Sequence, residues 1–205
     1  MNVSRQDLVI AALYVQTDGI YYGLPDVDPW DEARDARTYA GPHPVVAHPP
    51  CSRWCQLASV NHARWGTPIG EDGGCFEAAL AAVREFGGVL EHPAYSLAWT
   101  EFDLPPPARG FWRQSLLDEA AGWVTEISQS AYGHPARKRT WLYLVGEPVP
   151  LDWSEPRGAR VLGAGINAGE CLGRGRLTKA EAIATPVAFR DLLQSLARSA
   201  ARVPA

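Results

Sequence analysis

The apolar residues of this chain come in short unbroken runs, and that pattern limits the available folds more than any other feature. Residues 8–15 read LVIAALYV, Val45–Ala47 is a three-residue run, 89–90 is another, and 123–127 and 140–145 are two more. All have strand length, and the first three are expected to be buried on both faces. Helical patterns lie between and after them. A short charged helix is expected over 30–39, and one over 114–121. Cys75–Phe86 opens at Gly74, closes at Gly87-Gly88 and puts Phe76, Leu80 and Val83 on one face. The last helix covers 187–201, with Thr185 as cap, Pro186 at its start and an apolar stripe of Phe189, Leu192, Leu193 and Leu196. The alternation predicts an α/β fold, a mainly parallel sheet flanked by helices. Residues 1–205 read as a single domain, with a proline-rich loop at 100–110 and an irregular Gly/Arg-rich insertion at 146–184.

A net charge of −4 argues against a surface that binds nucleic acid everywhere, and leaves room for a local basic patch. The 8 Trp suit a core or a base-stacking face. No apolar run approaches membrane-spanning length and the N-terminus has no signal-peptide pattern, so a cytoplasmic protein without a membrane partner is expected. Its cysteines (51, 55, 75 and 171) are then expected to be reduced.

Two residues at strand ends carry nucleophilic and proton chemistry. Cys51, after Pro49-Pro50, follows the run at 45–47; Glu91 ends the run at 89–90, forty residues further on. One helix fits between them, as in a right-handed crossover that makes the two strands neighbours. Cysteine and carboxyl group would then share the rim where α/β sheets bind ligands. A thiol added at C6 of a pyrimidine activates C5, provided that an acid manages charge at N3. A third segment, Tyr132-Gly133-His134-Pro135-Ala136-Arg137-Lys138-Arg139, is a basic hairpin running into the strand at 140–145. The structural alternatives are a buried thiol for Cys51, a loop or helix cap for Glu91, and a solvated hairpin tip.

In this order and spacing the three segments resemble those of the DNA cytosine-C5 methyltransferases. Pro50-Cys51 matches their nucleophile motif, Glu91-His92-Pro93 stands where they have glutamate-asparagine-valine, and the Tyr132 segment resembles their tyrosine-glycine-x-proline-glutamine stretch. The resemblance implies a reduced, Rossmann-like methyltransferase core of the small phage or prophage type, with Cys51 as nucleophile and Glu91 as acid. His48 would tune the thiol, His134 would lie near the base, and Pro50, Arg137, Lys138 and Arg139 would hold base or phosphate. DNA or a pyrimidine nucleotide is the implied substrate, and S-adenosylmethionine the implied methyl donor. Aligned on Pro135, Lys138 falls on the family's first arginine and Thr140 on its second; a register shift instead puts Arg137 and Arg139, which keep the spacing, in those roles. The stretch 14–23 has two glycines and no glycine-rich loop, so no cofactor-binding residue is assigned; Asp28 is the nearest substitute for a ribose-binding acid. The segment 146–184 is too short for a target-recognition domain, so sequence reading would be loose or supplied by a partner protein. Arg157, Arg160, Arg174, Arg176 and Lys179 within it could grip phosphates.

Other classes remain open. Zinc through His48, Cys51, Cys55 and a distant histidine lacks paired knuckles, and Ala58 stands where an iron–sulfur triad needs its third cysteine, so no metal site is expected. A glycosidic-bond enzyme with Glu91 as nucleophile would use the same pocket. So would a catalytically inactive relative that binds nucleic acid or a host protein.

Overall fold

A computed structural model describes residues 8–116, 118–162 and 174–200. The strands are β1 (Ile10–Leu13), β2 (Val27–Trp30), β3 (Val45–Ala47), β4 (Gly88–Pro93), β5 (Ala108–Arg109), β6 (Arg113–Gln114), β7 (Trp123–Ser128) and β8 (Arg139–Val145). The helices are α1 (Ala58–Trp65), α2 (Cys75–Phe86), α3 (Ala98–Glu101), α4 (Lys179–Ile183) and α5 (Val187–Ala200). The strands form one 8-stranded sheet in the order β2-β1-β3-β4-β8-β7-β5, with β6 added to β7.

The fold is α/β, but the sheet is mixed rather than mainly parallel. Strands β2, β1, β3 and β4 run parallel; β8 is antiparallel to both β4 and β7. The connection from β7 to β8 is too short for a crossover, so those two strands must reverse direction.

The buried strands alternate their side chains between two cores. Ala11, Leu13, Val45, Ala47 and Leu90 face α2, where Phe76, Leu80 and Val83 complete the packing. Ile10, Ala12, Val46 and Val89 face α5, against Phe189, Leu193 and Leu196. This alternation fixes the direction of the next two residues: Glu91 follows Val89 to the α5 face, and His92 follows Leu90 to the α2 face. Gly88 permits β3 and β4 to pair closely: its φ is +122°, and a Cβ there would overlap the backbone of Val45.

Two expected helices are absent. Over 30–39 the chain instead ends β2 at Trp30 and makes a 3-10 turn at Ala36–Thr38. Strand β2 contains Pro29, tolerated because β2 is the sheet's edge. In place of a helix over 114–121, β6 pairs with β7 and turns back through Ala121, whose φ is +49°. Asp118 is drawn out of helical register by Tyr143 and Arg84, both of which bind its carboxylate. Cys171 and the N-terminal residues 1–7 lie outside the described residues.

Candidate active site

The C-terminal ends of β1, β3 and β4 open into a cavity of about 760 Å3. Strands β1 and β3 are neighbours whose onward connections lead to opposite sides, the arrangement that leaves a crevice for ligands in α/β sheets. Cys51 and Glu91 both line this cavity, as do His48, Pro50, Arg137, Lys138 and Arg139.

Cys51 lies in a tight turn four residues beyond β3, where its carbonyl accepts hydrogen bonds from the amides of Trp54 (3.0 Å) and Cys55 (2.9 Å). Glu91 is held by both oxygens. Its Oε2 accepts from His48 Nδ1 at 3.1 Å, and its Oε1 from Gln129 Nε2 at 3.0 Å. Gln129 belongs to the 3-10 turn that follows β7 and also donates to Thr140 Oγ1 at 3.0 Å. The other ring nitrogen of His48 lies 2.8 Å from the Tyr21 hydroxyl. A carboxylate only accepts, so His48 donates from Nδ1, and in the neutral ring Nε2 accepts from Tyr21. His48 therefore serves Glu91, rather than tuning Cys51 as expected.

The electrostatics set the resting protons. Burial pushes the Cys51 thiol up to about 11, Glu91 and Cys55 add to this, and Lys138 offsets part of it. Burial also acts to raise Glu91. The hydrogen bond from His48, the charge of that ring when protonated, and the Lys138 ammonium outweigh burial and hold the carboxyl below its ordinary value. At neutral pH the pair is thus a protonated thiol beside an ionised carboxylate. The resting nucleophile is not a thiolate, and the resting carboxyl group is not an acid.

The basic hairpin divides by role. Arg139 pairs with buried Glu126 at 2.5 Å and stacks 4.6 Å over the Tyr95 ring. Glu126 also accepts from the Trp141 indole at 2.8 Å and pairs with Arg109 at 2.8 Å, so Arg139 is committed to the protein. Arg137 pairs with Glu155 at 3.6 Å. Lys138 remains directed by charge at Glu91 and Cys51. His134 does not line the cavity: it is buried, its Nδ1 donating to the Ala136 carbonyl at 2.7 Å, and it anchors the hairpin instead. Arg157, Arg160 and Arg174 do line the cavity; Arg176 pairs with Val161 through the backbone.

Sequence reasoning did not find Tyr21, Gln129 or Glu126. None of them belongs to a motif, and only the folded turn after β7 brings the Gln129 side chain to Glu91. Among the described residues no group of three or more His, Cys, Asp or Glu side chains could hold a metal ion.

The residues after β1 and β2 do not fit S-adenosylmethionine. Asp31, which follows β2, is saturated: Oδ2 accepts from Thr17 and Tyr22, each at 2.7 Å, and Oδ1 from the amides of Ala33 and Arg34. Asp28 is bound to the Trp30 indole at 2.7 Å and to Arg34 at 2.5 Å. Gly19 is used in its own turn, where a Cβ would meet the Gln16 carbonyl at 2.8 Å, rather than in an amide cradle. No protein-family model, curated protein or solved structure matches this chain.

Proposed function

We propose that the chain modifies pyrimidine bases, with the Cys51 thiol adding to C6 and Glu91 moving the proton. The observation that carries this reading is the convergence of Cys51 and Glu91, from adjacent parallel strands, on one cavity. The parallel half β2-β1-β3-β4 also supports the Rossmann-like relation to the cytosine-C5 methyltransferases.

The step follows from the resting protons. Glu91 takes the thiol proton as the S–C6 bond forms, then delivers it to N3, whose lone pair receives the displaced electron density. C5 becomes an enamine carbon that can take a proton or another electrophile. Loss of the original C5 hydrogen to solvent regenerates the enamine, and return of the N3 proton through Glu91 to the departing Cys51 sulfur restores the ring and the resting thiol. His48 and Gln129 orient Glu91, and Lys138 favours charge on both reacting groups. No step is drawn through a methyl donor.

The chain alone should therefore exchange the C5 hydrogen of a pyrimidine with solvent. With cytosine tritiated at C5, label should appear in water with the parent protein and not with Cys51→Ser. Equal release by both would end the thiol mechanism.

A second reading draws on the ionised, doubly oriented state of Glu91, which also suits direct attack on a glycosidic carbon. In that case Cys51→Ser would still release free base, whereas Glu91→Gln would not.

A further inference from the structure

We propose that the substrate of this site is a free pyrimidine nucleoside 5′-phosphate, rather than a base within a polynucleotide. The inference rests on the pyrimidine reading and deepens it.

Charge is the first argument. The cavity is lined by six cations, Arg137, Lys138, Arg139, Arg157, Arg160 and Arg174, against the single carboxylate of Glu91. In a chain of net charge −4 this leaves −9 outside the cavity. A surface with that balance repels an extended polyanion, whereas a small phosphorylated ligand meets only the basic interior.

The partners of those cations sharpen the point. Arg139, Arg137 and Arg160 are paired with Glu126, Glu155 and Glu181. Among the described residues, Lys138 and Arg157 line the cavity without an ion-pair partner of their own. Two such cations match one phosphate group, not a run of them along a strand.

The wall is the third argument. Part of the cavity lining comes from 157–162 and 182–185, well beyond the strand ends in sequence. It is pinned to the hairpin by the Arg160 amide donating to the Pro135 carbonyl at 3.0 Å, and to its own return by the pairing of Val161 with Arg176. Arg160 joins it to α4 through Glu181, the residue that completes the Thr178 capping box. A volume of about 760 Å3 lies within the range of small-molecule sites.

Calorimetric titration with dCMP, deoxycytidine, a short single strand and a duplex tests the inference. The parent protein should bind dCMP about ten- to hundredfold more tightly than deoxycytidine, the contribution of one charge-assisted phosphate contact. Arg157→Ala should remove much of that advantage for dCMP and leave the nucleoside's affinity unchanged. Equal binding of dCMP and deoxycytidine, tighter binding of either oligonucleotide, or no binding at all would overturn the inference. Tritium release from the same compounds separates its failure from failure of the pyrimidine reading. Release from an oligonucleotide but not from dCMP sinks the nucleotide inference alone. Release from neither sinks the chemistry, while the affinity ratio still decides whether a nucleotide binds.

Discussion

Cys51 and Glu91 hold one proton between them at neutral pH, and that division predicts the pH dependence of the proposed reaction. The competent form has a protonated thiol, pushed up to about 11, and an ionised carboxylate held below its ordinary value. Neither group changes state near neutrality, so the exchange rate should be level between about pH 6 and 9 and fall only in acid. A rate rising tenfold per pH unit across that range would show that free thiolate is the attacking species. The neighbouring His92 behaves differently. It is fully buried among Phe76 and Trp99, and neither ring nitrogen has a hydrogen-bond partner. Burial lowers its pKa to about 4, offset only in part by the charges of Glu91 and Asp72. In the unfolded chain the ring titrates near 6.5, so between the two values the unfolded state binds more protons. Stability is complete above about pH 6.5 and lost as pH falls toward 4, by about 3 kcal/mol at most. His92→Phe should keep the ring contacts and remove this loss. Urea midpoints of parent and variant should therefore diverge on acidification, and parallel midpoints would contradict the assignment.

At the scale of elements, α2 shows how a helix terminus reaches the site. Its N-cap is Gly74, which has no side chain to offer, and Asp72 supplies the oxygens instead. Asp72 accepts from the amides of Gly74, Cys75 and Phe76, and from the Trp54 indole at 2.8 Å. Trp54 closes the turn that presents Cys51. Asp72→Ala should thus cost about 1–2 kcal/mol of stability, as for other lost caps, and also slow the reaction. A stability loss with an unchanged rate would disconnect the cap from the turn. The same elements show what was legible in the sequence. Helix α2 matches its expected span, and β3, β7 and β8 match to within a residue, because unbroken apolar runs and glycine punctuation mark them. Strand β4 was seen only at its apolar core, since its outer half carries Glu91, His92 and Pro93. Helix α1 was missed because it is largely exposed, with Trp65 at 66% and Val60 at 49%, and so has no apolar stripe. The site was half legible. Cys51 lies four residues beyond β3, and Glu91 lies within β4 rather than at its end, but periodicity locates both strands, whereas Gln129, Tyr21 and Glu126 reach their places through tertiary pairing that leaves no local pattern.

Considered as a whole, the molecule depends on α5 to close one side of the sheet and hold the site together. Phe189, Leu193, Leu196 and Ala197 are fully buried against Ile10, Ala12, Val46 and Val89. Burying the three large side chains contributes roughly 1.5–3 kcal/mol each, a sum comparable with the whole stability of a domain of this size. The helix also grips the loop after β1. Arg190 donates to the Ile20 carbonyl at 2.9 Å, next to Tyr21, which holds His48 and through it Glu91. Arg198 ties the far end of α5 to Asp26 and to the Leu8 carbonyl. Removing the chain from Pro186 onward should therefore leave a protein that does not fold cooperatively, visible as loss of the thermal transition. Leu193→Ala is the milder test: it should cost about 2–5 kcal/mol and preserve the cavity. Arg190→Met, by contrast, should change stability little but loosen Tyr21, lowering the exchange rate without altering the affinity for nucleotide. An Arg190 variant with the parent's rate would show that the Tyr21–His48–Glu91 chain is held by β1 and β3 alone.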